Sequence, residues 1–389
     1  MEKIKIEKLG KVFGKPSRQV LELLDEGWNK ERLMKEKGFA LGLWDVSFTV
    51  AEGEILVVMG LSGSGKSTLI RCLNRLIEPT AGSILVDGTD VRRLNEEQLR
   101  EFRQTRFGMV FQRFALFPHR TVLKNVAYGL EIHGEDRETC QRKSEEALTL
   151  VGLKGWEDSY PEQLSGGMQQ RVGLARALAV DPDILLMDEA FSALDPLIRK
   201  EMQEELLQLQ SRVGKTIIFI THDLDEALKL GDKIIIMKDG RLVQQGSPEE
   251  ILTSPADAYV EKFVEDVDMT KVLTAASVMK KAYSITYPKD GPKTALREME
   301  EAGISSIFVV DRKRLLLGIV NADDVSGLIH QGSSDLREIL KAPSRVAPET
   351  SLNELFALES FPAAVVDESG VLKGAVVRGN IIAGLNRER

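Results

Sequence analysis

The chain has 389 residues, 43% of them apolar and 29% charged, with a formal net charge of −8. That length allows two or three domains with ample core, and the acidic balance speaks against a dedicated nucleic-acid binder. No apolar run reaches the roughly 18 residues of a membrane-spanning helix. The charged start Met-Glu-Lys-Ile-Lys lacks a signal-peptide core, and Cys72 and Cys140 stand far apart without metal-ligand spacing, as suits a reducing cytosol.

In chain order, residues 1–50 predict an antiparallel β-rich layer interrupted by an insertion over 15–40. Within it, Val20-Leu-Glu-Leu-Leu24 and Trp28…Leu33-Met34 are two short amphipathic helical patterns broken at Gly27. Residues 51–112 and about 176–265 predict an α/β core with a mainly parallel sheet. Glu54–Met59 reads as a buried strand, leading into Gly60-Leu-Ser-Gly-Ser-Gly-Lys-Ser-Thr68 and a helix over Ser67–Leu76. This is the P-loop pattern G-x-x-x-x-G-K-[ST]. Gly60, Gly63 and Gly65 let the backbone turn tightly and aim amides at phosphate oxygens, Lys66 can reach the β- and γ-phosphates, and the Ser67 hydroxyl can ligate Mg²⁺. Residues 113–175 predict a mostly helical segment beginning at Phe114-Ala-Leu-Phe-Pro-His119. At its end, Ser165-Gly-Gly167 before Met168–Ala179 reads as a helix N-cap, either an ordinary cap or one that forms an anion nest. Ile184–Met187 is a strand ending in Asp188, placed to hold Mg²⁺, usually through water, and Glu189, placed to orient and deprotonate an attacking water.

Leu164-Ser-Gly-Gly-Met-Gln-Gln-Arg171, set between the P-loop and Asp188-Glu189, resembles the signature of the ATP-binding-cassette (ABC) transporter ATPases. The resemblance covers roughly the first 265 residues and implies an α/β P-loop NTPase with an antiparallel β flap and a helical subdomain. It carries further roles onto this sequence. Gln112 after Gly108-Met-Val-Phe111 matches the Q-loop glutamine, a contact for Mg²⁺ or water. Ser192-Ala-Leu-Asp195 matches the D-loop, and His222 in Thr221-His222-Asp223 the switch histidine of the γ-phosphate. The expected ATP contacts are Phe13, Gly60, Ser62, Gly63, Ser64, Gly65, Lys66, Ser67, Thr68, Gln112, Ser165, Gly166, Gly167 and Asp195. The catalytic set is Glu189, His222 and Lys66, and the Mg²⁺ set Ser67, Gln112 and Asp188. Phe13 fits the aromatic that stacks on adenine, with Phe39 the alternative. Family members pair head to tail, so that Ser165-Gly-Gly167 closes over the partner's ATP.

Beyond residue 270, Val309-Val-Asp311 with Gly318-Ile-Val320 recurs as Val365-Val-Asp367 with Gly374-Ala-Val376, with the same Asp-to-Gly spacing of seven residues. Pro292–Ala302 and Ser351–Leu358 read as first helices of the two copies, Ala322–Leu328 and Asn380–Leu385 as second. The repeat resembles a tandem α+β pair of cystathionine-β-synthase (CBS) domains, at 275–331 and 335–389. Residues 275–389 carry equal numbers of basic and acidic side chains, so the whole charge of −8 lies on the preceding part. In the positions where the family binds adenosine nucleotides, Asn321 and Asp324 match in part, whereas Val377 and Asn380 lack the hydroxyl and carboxylate.

The insertion resembles that of importers of glycine betaine and proline betaine. The resemblance implies the cytosolic ATPase subunit of an osmoprotectant importer, peripheral on the cytoplasmic face of the bacterial inner or plasma membrane. It would act as a cassette homodimer with two permease subunits and, indirectly, a solute-binding protein. Cyclic di-AMP is the candidate regulator, with Asn321, Asp324, Val376 and Arg378 the candidate residues. Lys280-Lys281 and Arg312-Lys-Arg314 are candidate contacts for anionic lipid. The alternatives are the ATPase of another small-solute importer, such as for choline or methionine, and a soluble ABC ATPase outside transport.

Overall fold

The computed structural model describes residues 2–112, 114–265, 270 and 273–386. The expected limits at Met1, Arg113 and Arg389 lie outside these. The chain divides into two units, Met1–Val267 and Asp268–Arg389.

The first unit is built on a six-stranded sheet in the order Arg241–Gly246, Lys233–Lys238, Ile55–Met59, Thr216–Thr221, Ile184–Asp188, Phe107–Phe111. Only the first two of these pair antiparallel; the other pairings are parallel. The strands are near-continuous apolar runs because both faces are covered. Val57, Met59, Leu185, Met187, Ile217 and Phe219 point into one core cluster, and the alternate residues Leu56, Val58, Ile184, Leu186, Ile218 and Ile220 into the other. Met59 pairs with Thr221, and Asp188 with both Ile220 and Phe111. The carboxyl ends of four parallel strands therefore align, and the residues just beyond them — Gly60, Gln112, Glu189 and His222 — arrive at one sheet edge from distant parts of the sequence.

The flap is an antiparallel sheet of Ala40–Ala51, Glu2–Phe13, Ala81–Val86 and Thr89–Asp90. It draws on Ala81–Val86, which the sequence alone places in the core. The apolar alternation of Ile84 and Val86 suits a strand in either place; its pairing with Ile4 and Ile6 decides. The insertion forms helices Arg18–Asp25 and Lys30–Lys37, separated at Gly27, whose φ of +91° suits glycine. Leu24 and Leu33 are fully buried against Val12, Leu41 and Trp44. The P-loop helix spans Lys66–Leu73 rather than extending to Leu76. Arg75 turns left-handed (φ +51°), and its guanidinium donates to the Val91 and Leu94 carbonyls. Helices Val122–His133, Arg137–Leu150 and Gly166–Ala179 make up the expected helical segment.

The second unit contains two three-stranded sheets, Ser284–Thr286, Ser306–Val310, Leu316–Asn321 and Arg345–Val346, Ala363–Val366, Leu372–Val376. The repeated aspartates are turn caps. Asp311 Oδ1 accepts the Lys313 and Leu315 amides at 2.7 and 2.8 Å, and Asp367 Oδ1 those of Ser369 and Val371 at 3.0 and 2.9 Å. The repeated glycines admit backbone from the other copy. A Cβ on Gly318 would stand 2.9 Å from the Lys341 carbonyl, and one on Gly374 3.0 Å from that of Lys280. Ile319 bridges Lys341 and Ala375 bridges Lys280, while Leu273, Ala275 and Val278 are buried in the core of the second copy. Each copy thus closes on a segment that precedes the other.

Candidate functional site

The strand Ile55–Met59 delivers the chain to Gly60 with no room for a side chain. A Cβ on Gly60 (φ +149°) would stand 2.3 Å from the Met237 carbonyl, and one on Gly65 (φ +107°) 2.6 Å from that of Gly42. The loop is pinned from behind, since Gly240 N donates to Ser64 O at 2.9 Å. It borders a cavity of about 360 Å³ whose lining includes Phe13, Ser62, Gly63, Lys66, Ser67, Thr68 and Glu189.

Lys66 is nearly buried, and its ammonium donates to the Gly60 and Leu61 carbonyls at 2.7 and 3.2 Å. Burial pushes it below its ordinary pKa, while Glu189 and Asp188 pull it back. A buried cation held, among the described residues, only by neutral carbonyls is arranged for a phosphate anion. Burial likewise pushes the Asp188 carboxyl up; the Ser67 hydroxyl, donating to Asp188 Oδ1 at 3.2 Å, opposes this. That hydroxyl–carboxylate pair is an oxygen donor set that fits a hard ion such as Mg²⁺ completed by waters and phosphate, while the Gln112 amide, the third expected ligand, is turned to Glu189 and Ser192.

Glu189 sits at φ +48°, an uncommon conformation for a side-chain-bearing residue, with its amide bonded to Ile220 O at 3.1 Å. Gln112 Nε2 donates to Glu189 Oε2 at 3.0 Å and to Ser192 Oγ at 3.1 Å. His222 Nδ1 lies 3.7 Å from Glu189 Oε2. An amide and an imidazole therefore flank one carboxylate, as suits a base that must hold and deprotonate a water. Phe13 lines the cavity, 41% exposed, and Gly42 makes room for it: a Cβ there would stand 2.9 Å from its ring. Phe39 packs instead into the insertion's apolar cluster.

Seven expected ATP contacts do not line this cavity: Gly60 and Ser64 lie within the P-loop itself, Gln112 is turned to Glu189, and Ser165, Gly166, Gly167 and Asp195 stand on other elements. Ser165 caps helix Gly166–Ala179, its hydroxyl accepting the Met168 amide at 3.3 Å. Asp195 caps Pro196–Val213 by accepting the Leu197 and Ile198 amides. Gly166 and Gly167 pack beside them; a Cβ on Gly167 would stand 2.6 Å from Ile198. The glycines lie in the first helical turn, so the helix starts two residues before the expected Met168.

Sequence reading missed three supports. Tyr259 OH accepts from the Leu61 amide at 3.4 Å and donates to Met237 O at 3.2 Å, tying helix Ala258–Val264 to the P-loop. Arg199 donates to the Ser192 and Leu194 carbonyls. Lys30, from the insertion, also lines the cavity. No local pattern marks them, since their meaning lies in partners far along the chain.

In the second unit, Asp324 Oδ2 forms an ion pair with the half-exposed Lys341 (2.5 Å). Val376 is fully buried and presents no side chain to a ligand, which corrects its place among the candidates. Asn321 stands at the start of helix Ala322–His330 without capping it. Arg378 is exposed, with its guanidinium over the Phe361 ring at 5.3 Å.

Residues 43–192 match the family model described as ABC transporter, and residues 266–331 that of the CBS domain. The chain is 56% identical to the glycine betaine transport ATP-binding protein OpuAA of Bacillus subtilis, over 98% of this chain and 92% of that protein. The chain belongs to the ABC transporter ATP-binding proteins. It is also 45% identical to the glycine betaine/proline betaine transport system ATP-binding protein ProV of Escherichia coli, over 99% of this chain and 98% of that one. Among solved structures, the dimeric ATP-binding cassette MJ0796 in its post-hydrolysis state with ADP and Pi shares 31% identity at a TM-score of 0.53. The match covers 63% of this chain and 98% of that cassette. This ABC protein is an ATPase on that family membership, and among its described residues no helix is long and apolar enough to cross a membrane.

Proposed function

We propose that this subunit powers import of glycine betaine or proline betaine from the cytoplasmic face of the bacterial membrane, bound peripherally to two permease subunits that receive solute from a binding protein. The named transport proteins at 56% and 45% identity over essentially the whole chain support the solute class. One observation carries the mechanism: P-loop, Asp188, Glu189, Gln112 and His222 meet at the carboxyl ends of neighbouring parallel strands, while Ser165 and Asp195 cap the starts of other helices. A second copy, facing the first head to tail, would supply Ser165-Gly-Gly167 to each bound ATP. Phe13 stacks on adenine, Lys66 and the P-loop amides hold the β- and γ-phosphates, and His222 and Gln112 orient Glu189 and the water it deprotonates. Mg²⁺, held by Ser67 and Asp188 with Gln112 beside it, would neutralise phosphate charge.

Reconstitution with its membrane subunits in proteoliposomes tests the reading. ATP hydrolysis should rise with glycine betaine or proline betaine. Stimulation by choline or methionine alone would reassign the solute, and absence of any membrane partner would favour a non-transport ATPase. Mixing Lys66→Ala with Ser165→Arg tests the shared site, because a mixed dimer retains at most one intact composite site; unimpaired activity of either variant alone would end the model.

The C-terminal unit is a control module in this reading. Cyclic di-AMP held between two such units, near exposed Arg378, is the candidate input; anionic lipid at Lys280-Lys281 and Arg312-Lys-Arg314 is the other. Deleting residues from about 275 onward should leave ATPase working and release it from the dinucleotide. Retained inhibition would place the sensor elsewhere.

A further inference from the structure

We infer that Lys30, in the insertion, is a nucleotide-binding residue that meets the β- and γ-phosphates from the open side of the P-loop. The inference rests on the reading of the P-loop cavity as the ATP site. Lys30 opens helix Lys30–Lys37, whose start is fixed by Asn29, its side chain accepting the Arg32 amide at 2.8 Å. Leu33, three residues on and therefore on the same helical face, is fully buried in the flap. That anchor turns Lys30 toward the cassette, whereas Arg32 lies over the Trp28 ring at 4.0 Å and pairs with Glu36. The Lys30 ammonium donates to Gly63 O at 3.0 Å and lines the same cavity as Lys66, Ser67 and Thr68.

The choice of partner is informative. Among the described residues Lys30 meets no carboxylate within ion-pair distance; like Lys66 it is held by P-loop carbonyl oxygen. An ammonium has three donors. One carbonyl leaves two for a ligand, and two cations flanking one glycine-rich loop attract a polyanion more strongly than either alone. The contact brings part of the insertion into the nucleotide site.

The test uses the full chain and calorimetry with a non-hydrolysable ATP analogue, ADP and AMP at low and physiological salt. Lys30→Met keeps the stem and removes the charge. It should weaken the analogue and ADP by on the order of fivefold, the size of a partly screened charge contact, and less so as salt rises. AMP should change less than twofold, and Lys30→Arg should retain affinity. Unchanged analogue affinity in Lys30→Met, whether or not the melting temperature falls, would make Lys30 a structural tether and overturn the proposal. Equal weakening of AMP would do the same. Lys66→Ala is the control on the site itself: if it binds the analogue as the unmodified chain does, the cavity reading fails first and takes Lys30 with it.

Discussion

The nucleotide cavity and the C-terminal unit treat their charged residues in opposite ways. In the cavity, Lys66 and Lys30 are held by backbone carbonyls, and Asp188 by a hydroxyl. In the C-terminal unit, Asp324 is paired with Lys341 and Asp367 with Lys373, the latter carboxyl held well below the usual carboxylate range by Ser369 and Lys373. A charge whose partners are neutral dipoles retains the field that recruits an ion; one already matched to its opposite does not. The contrast separates residues placed for a ligand from residues placed for the fold, even where both belong to recurring patterns.

The largest effect should come from the cavity. Glu189→Gln keeps the hydrogen bond from Gln112 within reach but removes the base, so single-turnover hydrolysis should fall by about 10²–10⁴-fold while ATP binding persists. Near-normal turnover would remove Glu189 from the chemistry and break the comparison at its strongest point. Ser165→Arg comes next. Because Ser165 does not line its own chain's cavity, the variant should bind nucleotide normally yet lose on the order of 10²-fold in steady-state ATPase through misassembly of the shared site; weakened binding in the monomer would show that the two halves meet within one chain.

On the other side of the comparison the effects are structural and smaller. Gly318→Ala and Gly374→Ala each push a Cβ against exchanged backbone and should destabilise the C-terminal unit by about 1–3 kcal/mol in chemical denaturation, leaving nucleotide affinity of the cassette unchanged. A neutral outcome would mean that the repeated glycines have another purpose. The smallest effect belongs to Lys341→Met. The pair it breaks is partly exposed, so stability should change by no more than about 1 kcal/mol. A larger loss, by the same denaturation measurement, would show that Asp324 depends on Lys341 more than an exposed pair should.

Local sequence determined much of this protein. The P-loop pattern, the apolar strands ending in Asp188 and Thr221, the Ser165 cap and the 292–302 helix are each written in a few adjacent residues, because backbone conformation and burial of a short element depend on local spacing. Even the gathering of Gly60, Gln112, Glu189 and His222 was implied, since a buried parallel sheet aligns its carboxyl ends. Tertiary structure alone decided that Ala81–Val86 joins the flap, that the two C-terminal copies exchange their leading segments, and that Val376 is core. It also decided between Phe13 and Phe39 for the cavity wall and brought Lys30 to Gly63 and Tyr259 to Leu61. A side chain's partner 33 or 198 positions away leaves no trace in local periodicity, because it depends on how separately formed elements pack.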